Sequence, residues 1–212
     1  MSRVFAKRLF DVLAAALGLF LLSPLLLLIA AWVKLDSPGP VFFLQQRVGR
    51  QGRLFAIHKF RSMRADAPAL GPQITIGRDT RISRAGHFLR RHKLDELPQL
   101  WDVLRGEMSL VGPRPEVPRY VALYPADMHA LILSVRPGIT DLASIEYRDE
   151  SRLLAEATDP ERCYVEQVLP MKLAISARYI RSRSFWGDVR LVLQTLRVLR
   201  HSEPAVAERD TR

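Results

Sequence analysis

The stretch from Val12 to Val33 is 22 residues long and contains no charged side chain. As a helix it would reach about 33 Å, enough to cross the hydrocarbon core of a bilayer. A soluble core helix of that length and apolarity is disfavoured, and so is a cleaved signal peptide, whose apolar region runs to roughly 7 to 15 residues. Two membrane arrangements stay open: a single pass, and a segment that enters one leaflet and returns. Ser23-Pro24 lies in the middle of the run, where proline removes a backbone donor and clashes with the preceding turn. Arg3, Lys7 and Arg8 precede the run and Lys34, Arg47, Arg50 and Arg53 follow it, so the positive-inside bias draws both ends to one side. A returning segment satisfies both pulls. Membrane helices tolerate proline, which keeps a kinked single pass in play.

The remainder has room for one globular domain, and three regions are expected: 1–36 in the membrane, 37–200 folded, and 201–212 a polar tail. The fold class expected is α+β, mostly helical, with a small β hairpin or sheet and basic amphipathic surface helices. A net charge of +10 calls for an anionic partner, whether nucleic acid, anionic lipid or a phosphorylated substrate. The single cysteine, Cys163, excludes a disulfide framework within the chain and every multi-cysteine metal motif, which suits a reducing cytoplasm.

Ser37-Pro38-Gly39-Pro40 marks the entry to the folded part. Strands are expected at Val41–Leu44 and Leu54–Ile57, with 45–53 as the hairpin tip. Alternation through 59–64 puts Lys59, Arg61 and Met63 on one side, which by itself reads as a solvated strand edge. Residues 66–80 read as a surface loop, Arg78–Arg81 as a salt-bridged turn, and 82 or 83 to Arg91 as a helix. That helix cannot aim both Arg90 and Arg91 at one place, because neighbours diverge by about 100°. Further on, Pro118 and Pro125 interrupt a helical pattern, Arg136–Thr140 reads as a rigid turn, Leu142–Tyr147 as a strand, and 148–157 as a short polar helix. Asp159-Pro160 opens a helix to about Ser182. Phe185 to about Leu199 forms a last one, whose apolar stripe flanked by arginines suits either a core or a membrane surface.

Chemistry concentrates between Leu89 and Glu116. Leu94, Leu97, Leu100, Trp101 and Leu104 recur at helical spacing, so a helix is expected to open near Asp95 and Pro98 and to end at Arg105-Gly106, with Asp95 and Glu96 in its first turn. Carboxylates there complement the helix dipole, and the same place attracts phosphate. Arg90, Arg91, His92 and Lys93 lie just before the pair. Gly112-Pro113-Arg114-Pro115 follows it, a stiff turn presenting one guanidinium at a fixed angle.

These motifs resemble the small monotopic phosphoglycosyl transferases of the bacterial sugar transferase family. The resemblance runs from Lys7-Arg8-Leu9-Phe10-Asp11 to about Leu199. It is carried by 37–43 with Gln46-Arg47-Val48-Gly49, Lys59-Phe60-Arg61-Ser62-Met63, 94–100, 108–116 and 136–140. It implies transfer of a sugar phosphate from a UDP-sugar to polyprenyl phosphate with release of UMP, the first step of glycoconjugate assembly. Asp95 is implied as the nucleophile that becomes phosphosugar-bearing, and Glu96 as the ligand of Mg²⁺. Lys59, Arg61, Arg90 and Arg114, with Pro113 and Pro115 framing the last, are implied to hold phosphate and nucleotide. Ser23 and Pro24 are implied to break a re-entrant membrane helix, leaving a monotopic enzyme at the cytoplasmic face of the bacterial inner membrane, in contact with anionic lipid. Larger members carry further amino-terminal membrane helices, which are not expected here. His92-Lys93 stands where many members carry Thr-Ser, and Asp141 and Ser144 replace a commoner Gly and Gln; these departures leave the sugar open.

Two rival readings are weighed against this. A nucleic-acid-binding or scaffold protein would show a helix-turn-helix or stacking aromatics, and aromatic residues amount to only 8% with no such motif, so no nucleic acid is expected. A membrane-anchored, metal-dependent nucleotide-sugar hydrolase would use the same carboxylates to activate water. The sequence leaves open whether the chain forms a homo-oligomer.

Overall fold

The computed structural model describes residues 3–64, 79–146 and 150–201. Most of the loop expected at 66–80, the end of the segment expected as a strand at 142–147, and the tail beyond 201 lie outside these residues.

The apolar run forms one helix, α1, Arg3–Asp36, and it continues through Pro24. Proline has no N–H to offer the carbonyl four residues back, that of Phe20. The hydroxyl of Ser23 donates to this carbonyl at 2.8 Å instead, so the ladder loses no acceptor partner. Leu9, Leu13, Leu17, Phe20, Leu21, Leu27 and Leu28 are exposed, whereas Asp11, Ala15, Ile29 and Val33 are buried. The helix therefore leaves its apolar middle bare and docks at both ends. Near the amino end, Ala15 joins Phe55, Ile57, Val103 and Met108 in one apolar cluster. Arg8 donates to the carbonyl of Leu104, and Lys7 forms an ion pair with Asp188 at 2.6 Å. Near the other end, Ile29 and Val33 pack with Phe60 and Leu89.

Strands β1, Phe42–Val48, and β2, Leu54–Phe60, form an antiparallel hairpin with Phe42 opposite Phe60 and Val48 opposite Leu54. Strand β1 runs further than expected because the tip needs only Gly49–Arg53, and β2 runs on to Phe60 because His58, Lys59 and Phe60 pair with Leu44, Phe43 and Phe42. Gln51 and Gly52 take positive φ there, of 59° and 75°. The edge after β2 is not solvated: Arg61 is buried, and its guanidinium donates to the carbonyls of Val33, Ser37 and Pro38 at 2.6–3.1 Å. These are acceptors at the end of α1 and just beyond it, where a helix runs out of its own donors. Helix α2, Arg84–Arg91, is capped by Ser83 and by Asp36, which accepts from the N–H of Ala85 at 3.1 Å. It lies so close to the chain leaving β2 that a Cβ on Gly86 would sit 1.9 Å from the carbonyl oxygen of Ser62.

Beyond α2, a 3₁₀ turn at Leu94–Glu96 precedes α3, Gln99–Arg105, which Gly106 closes with φ 85°. The carboxylate pair therefore stands before α3, not in its first turn. Pro98 is the cause, since it cannot donate into the ladder and splits the helical path in two. Strand β3, Ser109–Val111, pairs in parallel with β4, Gly138–Thr140; β4 falls in the segment that reads as a rigid turn, and β3 ends just before the stiff turn at 112–115. Between them come α4, Pro118–Val121, and α5, Ala126–Ile132, started by the two prolines that interrupt the pattern.

The segment expected as a strand at Leu142–Tyr147 is instead α6, Leu142–Glu146. Asp141 caps it, accepting from the backbone N–H of Ser144 at 2.7 Å and from its hydroxyl at 2.6 Å. After α7, Glu150–Glu156, and α8, Pro160–Cys163, capped by Asp159, a π turn at Tyr164–Val168 leads into α9, Leu169–Ser182. The largest apolar cluster gathers Val111, Tyr120, Ile132, Tyr164, Leu173 and Ile180 with their neighbours. Helix α10, Phe185–His201, sets Leu191 and Val192 against this cluster but leaves Trp186, Leu193 and Leu196 exposed. The architecture is the helix-dominated α+β arrangement expected, with two small two-stranded sheets among the described residues.

Candidate active site

Four segments converge on the carboxylate pair. Lys93 takes the left-handed conformation, φ 56° and ψ 22°, and turns the chain out of α2 into the 3₁₀ turn. Leu94 and Leu97 sink beside the Ile29–Val33 cluster and fix that turn from both sides. Strand β2 brings Lys59, whose Nζ donates to Glu96 at 2.8 Å. The parallel pair brings Arg114: Gly112 donates to the carbonyl of Thr140 and Gly138 to that of Pro113, so backbone bonds on both strands hold the loop. No side chain fits there, since a Cβ on Gly138 would meet the nitrogen of Gly112 at 2.1 Å. Arg114 then grips both oxygens of Glu96.

The two acids consequently differ. Glu96 lies between Lys59 and Arg114, whose charges and hydrogen bonds outweigh its burial and hold its carboxyl well below the usual range. Glu96 in turn raises the affinity of Arg114 for its proton. Asp95 is 8% exposed, and its Oδ1 is buried with no hydrogen-bond partner among the described residues. Burial, and next the charge of Glu96, push the Asp95 carboxyl upward, while Lys59, Lys93 and Arg90 pull the other way. Burial lowers Lys59, mainly opposed by Glu96. The result is one carboxylate fully engaged by cations and one with an unoccupied, poorly solvated lone pair beside them. Such a group can attack an electrophile, or take a hard cation, more readily than a hydrated carboxylate can.

Lys59, Arg114, Asp95 and Glu96 are brought together, and Arg90 is close enough for its charge to favour ionised Asp95. Arg91 is exposed on another face of α2. Pro113 and Pro115 frame Arg114 and lend carbonyls to Gly138 and Arg47. Arg61 is not at the site; it holds the end of α1. Ser23 and Pro24 are in the exposed middle of α1.

Residues beyond those expected support the cluster. Arg47 donates to Gln45, to the carbonyl of Pro115 and to Glu116, and Glu116 accepts from Tyr164 at 2.5 Å. Burial lowers the Arg47 pKa, with Glu116 opposing. Arg47 falls in the segment expected as the hairpin tip but lies in β1, where it shares a strand face with Gln45, the signal that alternation could have supplied. Behind β2, Asp102 accepts from both the backbone N–H and Nδ1 of His58, at 2.9 and 2.6 Å.

No group of three or more His, Cys, Asp or Glu side chains suited to a metal ion occurs among the described residues. A magnesium ion needs less than that, since it usually takes one or two carboxylates and completes its shell with water and phosphate oxygens. The open Oδ1 of Asp95 fits such a role directly, whereas Glu96 fits only by sharing oxygens that Lys59 and Arg114 already hold.

The family model described as bacterial sugar transferase matches residues 2–202. Among similar curated proteins is a UDP-N-acetylgalactosamine-undecaprenyl-phosphate N-acetylgalactosaminephosphotransferase from Aeromonas hydrophila, 39% identical over 92% of this chain and 44% of its own length. A UDP-glucose:undecaprenyl-phosphate glucose-1-phosphate transferase from Caulobacter vibrioides is 42% identical over 90% of this chain and 68% of its own. One of the same description from Escherichia coli is 39% identical over 90% and 39%. The chain thus spans less than half the length of two of these relatives and about two thirds of the third.

Proposed function

Because the chain belongs to the bacterial sugar transferase family, we propose that it moves a sugar 1-phosphate from a UDP-sugar to polyprenyl phosphate, of the undecaprenyl kind, at the cytoplasmic face of the inner membrane. In the first half-reaction an Asp95 oxygen attacks the sugar-bearing phosphorus, the bond to the UMP oxygen breaks, and UMP leaves. In the second a phosphate oxygen of the lipid attacks the same phosphorus and expels the Asp95 carboxylate, giving a polyprenyl diphosphate sugar. The observation that carries this reading is the unpartnered, buried Oδ1 of Asp95 beside a fully paired Glu96. Lys59, Arg90 and Arg114 offset the phosphate charge that would otherwise repel the attacking carboxylate. A Mg²⁺ held by Asp95 or Glu96 would supply further charge neutralisation on the diphosphate.

The monotopic arrangement draws support from α1. Both its ends dock on one folded domain, and only 11% of its most apolar stretch is buried. A straight pass would put Lys7 and Arg8 on the far side of the bilayer from their partners Asp188 and Leu104. The hydrogen bond from Ser23 to Phe20 lets the helix bend at Pro24 without leaving a carbonyl unpaired in lipid.

The test separates transfer from hydrolysis. The protein is incubated with sugar-labelled UDP-sugar and Mg²⁺ without polyprenyl phosphate, quenched in acid, and mapped by mass spectrometry. Label on Asp95 that chases onto added polyprenyl phosphate is expected, with ping-pong kinetics. Asp95→Asn should abolish both UMP release and the adduct. Release of UMP only when both substrates are present, with no adduct, would demote Asp95 to a metal ligand or general base. Release of free sugar phosphate without the lipid would indicate a hydrolase.

A further inference from the structure

A cavity of about 640 Å³ opens where the amino end of α1 meets β3 and the start of α10. None of Lys59, Arg90, Asp95, Glu96 or Arg114 lines it. Five basic side chains do, namely Lys7, Arg8, Arg50, Arg136 and Arg183, against only Asp11 and Asp188. Both acids are already engaged. Asp11 accepts from the hydroxyl of Ser109 at 2.8 Å, and Asp188 takes the hydroxyl of Tyr179 at 2.8 Å and Lys7 at 2.6 Å. That leaves four guanidinium groups with no carboxylate partner among the described residues.

Two of these hold a single backbone carbonyl each, Arg8 that of Leu104 and Arg136 that of Gly106. The Nη1 of Arg8 is buried and lacks any partner among the described residues. Arg8 and Arg50 also stand near enough to Arg136 to help burial lower its proton affinity. Crowded, partly desolvated cations of this kind are stabilised by an anion, and a phosphate offers the acceptors that guanidinium forks match.

The wall on the α10 side says where the anion comes from. Phe185 and Trp186 line the cavity and are 39% and 77% exposed, and Phe5 and Leu9 of α1 are also exposed. Aromatic rings beside arginines at the end of an apolar helix form the pattern that settles at the headgroup level of a bilayer. The size suits a whole headgroup better than a free ion. We propose that this cavity binds the phosphate diester headgroup of an anionic bilayer phospholipid, held as a fixed lipid apart from the reacting centre. No residue of the carboxylate cluster lines this cavity, so the lipid held here is assigned a role other than that of the acceptor. The inference rests on the membrane reading of α1.

The test uses the full chain in nanodiscs of phosphatidylcholine containing about one part in five of phosphatidylglycerol. Lipids that stay with the protein after transfer to detergent are counted by native mass spectrometry. The wild type should retain phosphatidylglycerol over phosphatidylcholine, and Arg50→Gln/Arg183→Gln should reduce that retention at least tenfold. Neither residue makes a structural hydrogen bond through its side chain among the described residues, so the variant should insert into discs and release UMP from UDP-sugar as the wild type does. Equal retention by the two proteins overturns the proposal. So does displacement of phosphatidylglycerol by millimolar inorganic phosphate, which would mark a free-anion site. Displacement by equimolar polyprenyl phosphate, with loss of lipid turnover in the variant, would also overturn it and mark an acceptor site. Failure of the wild type to enter phosphatidylcholine discs would instead refute the membrane reading.

Discussion

Replacing Arg61 with alanine should cripple the protein's stability and leave its substrate affinity intact. The guanidinium donates to the carbonyls of Pro38, Val33 and Ser37 and to the hydroxyl of Ser37, at 2.9, 3.1, 2.6 and 3.1 Å. Hydrogen bonds from a charged donor contribute roughly 1.5–3 kcal/mol each, but they share one side chain and are not additive. Water entering the space left by alanine would recover part of the loss. A net destabilisation of about 3–5 kcal/mol follows, large against total stabilities of roughly 5–15 kcal/mol. For a domain of this size that lowers the Tm by about 6–20 °C. Arg61→Lys should recover only part of it, because an ammonium cannot span the three carbonyls as a planar fork does. The assay is thermal unfolding in nanodiscs alongside KM for the UDP-sugar, measured well below the Tm. The reasoning is refuted if Arg61→Ala melts with the wild type while KM rises tenfold, since Arg61 would then be touching substrate.

Asp95 and Glu96 should answer the same neutralisation with opposite signs. The folded-state pKa of Asp95 is raised, so its ionisation removes stability as pH climbs past the unfolded carboxylate value, and Asp95→Asn should raise the Tm at pH 7. That of Glu96 is lowered, so its contribution is present above the unfolded value and lost as pH falls through the folded one; Glu96→Gln at pH 7 should cost about 3–5 kcal/mol by stranding Lys59 and Arg114. If ionised Asp95 is the reacting form, the acid limb of kcat/KM should lie above the usual carboxylate range, and a limb at ordinary acidity would contradict its burial. Ser23→Ala should destabilise by about 1 kcal/mol with Pro24 present and by nearly nothing in a Pro24→Ala background, because an alanine N–H can then reach Phe20; equal effects in both would sever the link between the two residues. Gly86→Ala should lower the Tm despite the better helix propensity of alanine, given the 1.9 Å approach to Ser62, and an unchanged Tm would mean that α2 can move away from β2. Single cysteines at Gln45 and Ser2 in a Cys163→Ser background should resist an impermeant thiol reagent on intact cells, and labelling of either would exclude the re-entrant topology.

The site was legible in composition more than in geometry. Lys59, Asp95, Glu96 and Arg114 could be singled out because their motifs are dense and specific, and they do meet. Arg61 could not be told from Lys59, since a period of two puts both on one face while only the tertiary fold decides which meets the end of α1. The 3₁₀ turn was hidden because it depends on a left-handed Lys93, a conformation that lysine does not advertise. Strand β3 and strand β4 are three residues each, too short to leave a periodic signal, and their pairing is recorded only in glycines that permit close approach. Helix α6 is hidden in the sequence because Ile145 and Tyr147 are strand formers, while Asp141 and Ser144, three apart, make the cap that outweighs them.

The ion pair of Lys7 with Asp188 ties the seventh residue to one near the end of the folded part. On a ribosome these meet late. At about 5–20 residues per second, roughly 10–40 s separate the synthesis of one from the other. The apolar helix is made before its docking sites on α3, β3 and finally α10, and must wait for them in lipid or with a chaperone. Its amino end therefore becomes fixed only after α10 has been made, and a chain stopped at Ser182 should remain open to protease around Lys7 and Arg8 where the chain carrying α10 is protected.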